Sequence, residues 1–198
     1  MKKKKLIPML ALSFGILFLA GCAKKIPHTL VAGYDNRNIK TIAILPIQEA
    51  AKNPEVSALL RKRLADAIYL KGYPKVSEKE IDERLGVFYK NVKDHSPGTL
   101  PPRDVGGILG VDAVLYTVLQ DCQTSFLYLS ASTSIAVSFN MYSTQTGELL
   151  WSTRYQIGER NFDITRDRLK MKSCQAYEPA LDEIVRKAME TLPDAPDV

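Results

Sequence analysis

Apolar positions along the chain follow two rhythms, one near 3.6 residues and one of 2, and the change from one to the other divides the sequence. Residues 39–47 (IKTIAILPI) form a β-branched apolar run, the pattern of a buried interior strand stopped at Pro46. A helix start follows, with Asn53 as cap, Pro54 in the first turn and Glu55 facing the positive end of the dipole. Val56, Leu59, Leu60, Leu64, Ala67 and Ile68 fall on one helical stripe, which Gly72 ends. Residues 73–76 predict a short second strand, and Ser77 with Glu80 a capping box for a helix over 78–85. Residues 86–99 read as a connection, Pro101 and Pro102 open a short helix ending near Gly110, and residues 111–120 (VDAVLYTVLQ) form another interior strand.

The period-2 pattern then takes over. Ile135, Val137, Phe139 and Met141 alternate with Ser134, Ala136, Ser138 and Asn140, which predicts a strand with one wet face. Residues 144–147 (TQTG) make a turn, and Leu149, Trp151, Thr153 and Tyr155 alternate through the second strand of a hairpin. A helix over 177–192 presents Tyr177, Leu181, Ile184, Val185, Ala188 and Leu192, and residues 193–198 are expected to be a disordered tail. The order β-α-β-α-α-β-β-β-α predicts a single α/β (α+β) domain over 39–192, a mixed sheet with helices packed on it.

Charge changes the picture only at the N-terminus. The 27 basic against 22 acidic residues give a formal +5, but Lys2, Lys3, Lys4 and Lys5 supply four of the basic groups; without them the count is 23 against 22. A body this close to neutral lacks the basic footprint of a nucleic-acid binder, so no nucleic acid is expected as partner. Those lysines precede fifteen uncharged, mostly apolar residues, Leu6 to Ala20, too few to span a bilayer readily and weakened by Pro8 and Gly15. A basic start, a short apolar core and small residues before a cut site make residues 1–21 a signal peptide. Its ending, Leu19-Ala20-Gly21-Cys22, resembles a bacterial lipobox. That resemblance implies cleavage before Cys22, a diacylglyceryl thioether on its thiol and usually an acylated amine, palmitate among the attached chains. Two or three acyl chains hold a protein lastingly, where one does not. Ala23, in place of an aspartate, favours the outer membrane, with the body facing the periplasm and cell-surface exposure left open. Residues 22–38 then form the lipidated cysteine and a flexible tether.

Reactive groups are scarce. His28 falls in the expected tether and His95 in a loop, and the chain contains no G-x-S-x-G elbow, HExxH, phosphate-binding loop or dinucleotide fingerprint. Gly106, Gly107 and Gly110 precede a strand, so they suit close helix packing rather than a phosphate cradle. No catalytic, cofactor-binding or metal-binding residues are expected. Asp112, Asp121 and Glu148 leave open a carboxylate-dependent glycan or peptidoglycan hydrolase, and a carrier for a small apolar ligand is a further alternative. Cys122 and Cys174 remain once Cys22 is lipidated, so a disulfide between them and two free thiols both stay open. The hydroxyl-rich stretch from Thr124 to Ser138 is either a loop leading to a polar strand face or an edge offered for β-augmentation. Within it Phe126, Leu127, Tyr128 and Leu129 either fold back over the sheet or stand exposed as a partner patch.

With the lipobox, IKTIAILPI, NPEVSALLRKRLADAIYLKGY, GVDAVLYTVL and STQTGELLW resemble a family of bacterial lipoproteins of unassigned function that includes a meningococcal surface-antigen candidate. More distantly, the strand–helix–strand opening and the TG-x-LLW hairpin look like the curli-secretion lipoprotein CsgG, the penicillin-binding-protein activator LpoB and the N-terminal domain of TolB. The resemblance implies a non-enzymatic protein-binding module in cell-envelope assembly or transport. It also implies homo-oligomers, and other envelope proteins as partners, curli-secretion-like lipoproteins among them. The family carries no agreed catalytic motif. No amphipathic strand pair in the sequence reads as long enough for a CsgG-like transmembrane barrel.

Overall fold

A computed structural model describes residues 25–49, 54–91, 100–168 and 177–196. In chain order these form β1 (His28–Leu30), a 3-10 turn (Tyr34–Arg37), β2 (Ile42–Ile44), β3 (Gln48–Glu49), α1 (Pro54–Leu70), α2 (Glu78–Asn91), α3 (Pro102–Leu109), β4 (Ala113–Leu127), β5 (Ser130–Ser143), β6 (Leu149–Phe162) and α4 (Tyr177–Met189). One six-stranded mixed sheet runs β1-β6-β5-β4-β2, with β3 also on β4. β2 and β3 lie parallel to β4, and the other neighbours are antiparallel. The single mixed α+β domain read from the apolar pattern is the fold observed.

Alternation sorts the core into two layers. Leu115, Leu119, Val137, Phe139, Met141 and Trp151 face α1 and α4, meeting Leu60, Leu64, Leu181 and Ile184. Ala43, Leu45 and Val114 face the opposite way, onto Ile81 and Leu85 of α2 and Val105 of α3. Trp151 is fully buried, tilted against Phe139 at 6.3 Å between ring centres, and its indole N–H donates to Thr191 Oγ1 at 3.1 Å. β2 is buried on both faces, which is why its sequence is apolar without alternation.

At one end the sheet is tied by polar side chains. Asp112 Oδ2 accepts from the Lys40 and Thr41 amides, at 3.0 and 2.9 Å, and from the Thr41 hydroxyl at 2.9 Å. Thr144 donates to the carbonyls of Val111 and Asp112. Gly106 lies so close that a Cβ there would stand 2.4 Å from Thr144 Cβ, so the glycine serves helix packing as its position before a strand suggested. Buried Arg61 donates to the Ile44 carbonyl, through Nη2 at 3.0 Å, and to Asp82 at 2.8 Å, joining β2, α1 and α2.

Several expectations are corrected. Residues 73–76 are not a strand: Tyr73 is fully buried, and its phenol meets the Tyr34 phenol at 2.9 Å instead of its backbone joining a sheet edge. α2 continues past Leu85 to Asn91, because Gly86 lies on an open face with nothing near its missing side chain. The tether is shorter than residues 22–38, since His28–Leu30 pairs with β6 and Tyr34 is buried. The tail is ordered at its start: the Ala195 amide donates to the Lys71 carbonyl at 2.8 Å, and the Tyr73 hydroxyl to Pro193 O and Asp194 O. The largest correction is strand length. β4, β5 and β6 run for 15, 14 and 14 residues, well past the ends read for them, and their distal rungs, with Gln123, Thr124, Ser125, Ser132 and Ser134, are polar on both faces rather than amphipathic.

Candidate interaction surface

The extra length of β4, β5 and β6 forms an arm whose near half still meets α4, where the Tyr177 hydroxyl lies 2.8 Å from Thr124 Oγ1, and whose far half extends past the helices. β4 carries a bulge between Leu119 and Asp121, then pairs in unbroken register with β5 from Asp121↔Ala136 to Leu127↔Ser130. β6 follows β5 to the same level, with Ser130↔Phe162 as the last rung. From Asp121 to Leu127 the arm advances about 20 Å. Tyr128 and Leu129 alone close the β4–β5 turn, and Tyr128 has φ of 47°. A two-residue hairpin turn needs such a backbone, normally supplied by glycine or asparagine; an aromatic side chain there costs on the order of 1 kcal/mol.

The tip is apolar and open to solvent. Phe126, Leu127, Tyr128 and Leu129 are 41, 67, 94 and 55% exposed, so the cluster stands out rather than folding back. Phe162 and Ile164 join it, at 64 and 87%. The period-2 pattern predicts β6 only as far as Gln156, and Glu159 and Arg160 hide its continuation to Phe162.

Both margins of the arm are open. Among the described residues, no strand pairs with β4 beyond Leu119 on its outer side, or with β6 between Arg154 and Asn161 on its outer side. The Val31 amide donates to the Leu150 carbonyl at 2.8 Å, which sets the parity of the β6 edge. The backbone groups of Arg154, Gln156, Gly158 and Arg160 therefore point outward. Toward the base the sheet face opposite α1 and α4 is polar and shallow, with Gln120, Ser138, Asn140, Ser152 and Arg154 around a depression of about 470 Å³. Another open groove, about 510 Å³, lies between α1 and α4; Ala67, Leu70, Val185 and Met189 floor it. Its rim carries ion pairs between Arg63 and Asp182 at 3.0 Å and Lys71 and Asp194 at 2.9 Å.

The carboxylates weighed as an acid–base set are dispersed. Asp112 anchors the start of β2, Glu148 pairs with Arg37 at 2.9 Å, and Asp121 sits at the bulge. Asp112 and Asp121 lie nine residues apart along one strand, roughly 30 Å, far beyond the 5–9.5 Å or so of a glycosidase pair. Asp121 Oδ1 is buried with no hydrogen-bond partner among the described residues. It adjoins Cys122, a half-buried thiol whose pKa is raised by burial and then by the Asp121 charge. Cys174 lies outside the described residues, as do His95, Cys22 and the signal peptide, and with it the choice between a Cys122–Cys174 bridge and two free thiols. His28 stands in β1, exposed, donating to the Ile26 carbonyl at 3.0 Å.

A family model described as "Putative lipoprotein GNA1162-like" matches residues 37–193. The chain belongs to this lipoprotein family. Its fold is that of the lipoprotein GNA1162 from Neisseria meningitidis, at 19% identity and a TM-score of 0.54, over 70% of this chain and 96% of that one. The chain is also similar to a PelC dodecamer subunit from Paraburkholderia phytofirmans, at 10% identity and a TM-score of 0.49, covering 83% of this chain and 98% of the other. The C-terminal domain of LpoB from Escherichia coli aligns at 16% identity and a TM-score of 0.42, over 62% and 85% of the two chains. No curated protein matches the sequence.

Proposed function

We propose that this lipoprotein is anchored in the outer membrane through lipidated Cys22 and acts in the periplasm by binding protein, without catalysis, in envelope assembly or transport. The carrying observation is the arm, with two different strand edges that are unpaired among the described residues. An open edge is a template for another strand, and its backbone groups supply affinity that few side chains need to specify. Copies can pair head-to-tail, β4 of one arm to β6 of the next, or isologously, β4 to β4 or β6 to β6 about a two-fold axis. The dispersal of Asp112, Asp121 and Glu148 weighs against the hydrolase reading. The open, ion-rimmed groove between α1 and α4 weighs against an enclosed apolar carrier site.

Photo-crosslinking residues placed at Gln123 and Gln156 in the full lipidated protein, in intact cells, test this. Adducts to a second copy or to one defined envelope protein are expected at both positions, and Gln156→Pro, which removes an outward N–H from an edge that tolerates proline, should abolish those at β6. Monomer alone at both positions overturns the reading.

A further inference from the structure

The direction of β1 sets which way the chain leaves the fold toward Cys22. β1 is antiparallel to β6 with His28 opposite Thr153 and Leu30 opposite Trp151, so the chain preceding His28 departs toward higher β6 numbers, the way the arm points. The Thr153 hydroxyl donates to the Pro27 carbonyl at 2.7 Å, which holds this exit against β6. Cys22 is six residues before His28, a reach of about 20 Å at full extension. Phe162 is nine residues beyond Thr153 on β6, about 30 Å. An arm standing along the membrane normal is therefore about 10 Å longer than the linker tying it to the lipid, and its tip must pass the level of the lipidated residue.

We propose that the arm tip is a second membrane contact: Phe126, Leu127, Tyr128 and Leu129, with Phe162 and Ile164, enter the interfacial layer of the leaflet that holds the Cys22 lipid. This rests on the lipidation proposed above. The chemistry of the tip suits lipid. Successive strand residues point to opposite faces, so Phe126 and Leu127 put apolar groups on both faces of the ribbon, Leu127 shares its rung with Phe162, and Tyr128 and Leu129 cap the end. A protein groove asks for one apolar face, whereas a bilayer surrounds its guest. Asn161 shares the Phe126 rung, Ser130 the Leu127 rung, and the Asp163 amide donates to the Leu129 carbonyl, polar groups that suit the headgroup layer rather than the hydrocarbon. One rung behind Phe126 the composition changes to Ser125, Ser132 and Arg160, so the apolar-rich section is about 7–10 Å deep, the depth to which interfacial elements sink. Tyr128 occupies a turn position where glycine is cheaper, and an exposed aromatic ring is what a headgroup boundary takes up.

The test uses the mature lipidated protein carrying Tyr128→Trp, reconstituted in phosphatidylethanolamine–phosphatidylglycerol vesicles with brominated acyl chains, its Cys22 acylation read by mass spectrometry on the same sample. Trp151, buried at the base, is the internal reference, measured alone in the protein without the substitution. The tip indole is expected to shift to the blue and lose about half its emission, while Trp151 is unchanged. Adding Leu127→Asp and Phe162→Asp should remove the loss with acylation intact. An acylated protein whose tip indole is unquenched overturns the tip contact and leaves the anchor standing, and so does a tip that crosslinks to protein instead. A Cys22 without acyl groups overturns both.

Discussion

The base and the arm are made from the same three strands, yet different forces hold them. At the base, β4, β5 and β6 are backed by α1 and α4: Leu115, Phe139 and Trp151 are sealed, and Asp112, Thr41, Thr144 and Arg61 satisfy the polar backbone where strands begin and end. In the arm the ladder persists with helix contact, among the described residues, only on its near half, through Tyr177 on Thr124. Ala131, Thr133 and Ile135 of central β5 are buried, whereas the flanking strands alternate half-buried and exposed positions. The base therefore sets stability, and the arm is free to spend its side chains on contacts outside the molecule. Groups buried in the base should be intolerant, and groups at the tip should be silent in folding while dominating attachment.

Trp151→Ala is the severest test of that division. It removes the largest buried side chain and the indole N–H that donates to Thr191 Oγ1, so denaturant unfolding should show a loss of about 3–5 kcal/mol. Leu127→Ser at the tip should stay within about 0.5 kcal/mol of the parent. Similar losses from the two would end the distinction between base and arm. Next comes Gly106→Ala, whose new methyl would collide with Thr144 and push α3 off the β5–β6 turn, at about 1–3 kcal/mol by the same measurement.

The smallest effect concerns alkali. Burial, then the hydrogen bond with Tyr73, raises the Tyr34 pKa far above its ordinary value, and burial raises that of Tyr73 too. A raised folded pKa means the unfolded chain loses these protons first. Their stabilisation is thus complete below about pH 10 and is lost progressively as pH rises through the folded values. The melting temperature should fall above pH 10, and Tyr34→Phe should flatten that fall while arm-tip substitutions leave it unchanged.

Much of the base was legible in sequence because burial writes a period. The stripe from Val56 to Ile68 located α1, the Ile135-to-Met141 alternation located the proximal half of β5, and Thr146–Gly147 located the β5–β6 turn. Tyr73 misled because an aromatic beside β-branched and apolar neighbours looks like strand, whereas its ring was filling the gap between the Tyr34 turn and the chain at Pro193. The arm was hidden for the opposite reason. Gln123, Thr124, Ser125, Ser132 and Ser134 are polar on both faces, so no hydrophobic rhythm marked residues that pair rung for rung.

The sequence by itself determined the mixed α+β core and an apolar cluster at residues 126–129, because each is written in local composition or a short period, and its Leu19-Ala20-Gly21-Cys22 segment carries the lipobox resemblance on which the proposed anchor rests. Tertiary structure alone decided that β4, β5 and β6 continue into an arm, that Phe162 and Ile164 meet the cluster at its tip, and that the N-terminal exit points the same way. Those facts arise from pairing between strands, where the partner rather than the residue itself sets the conformation.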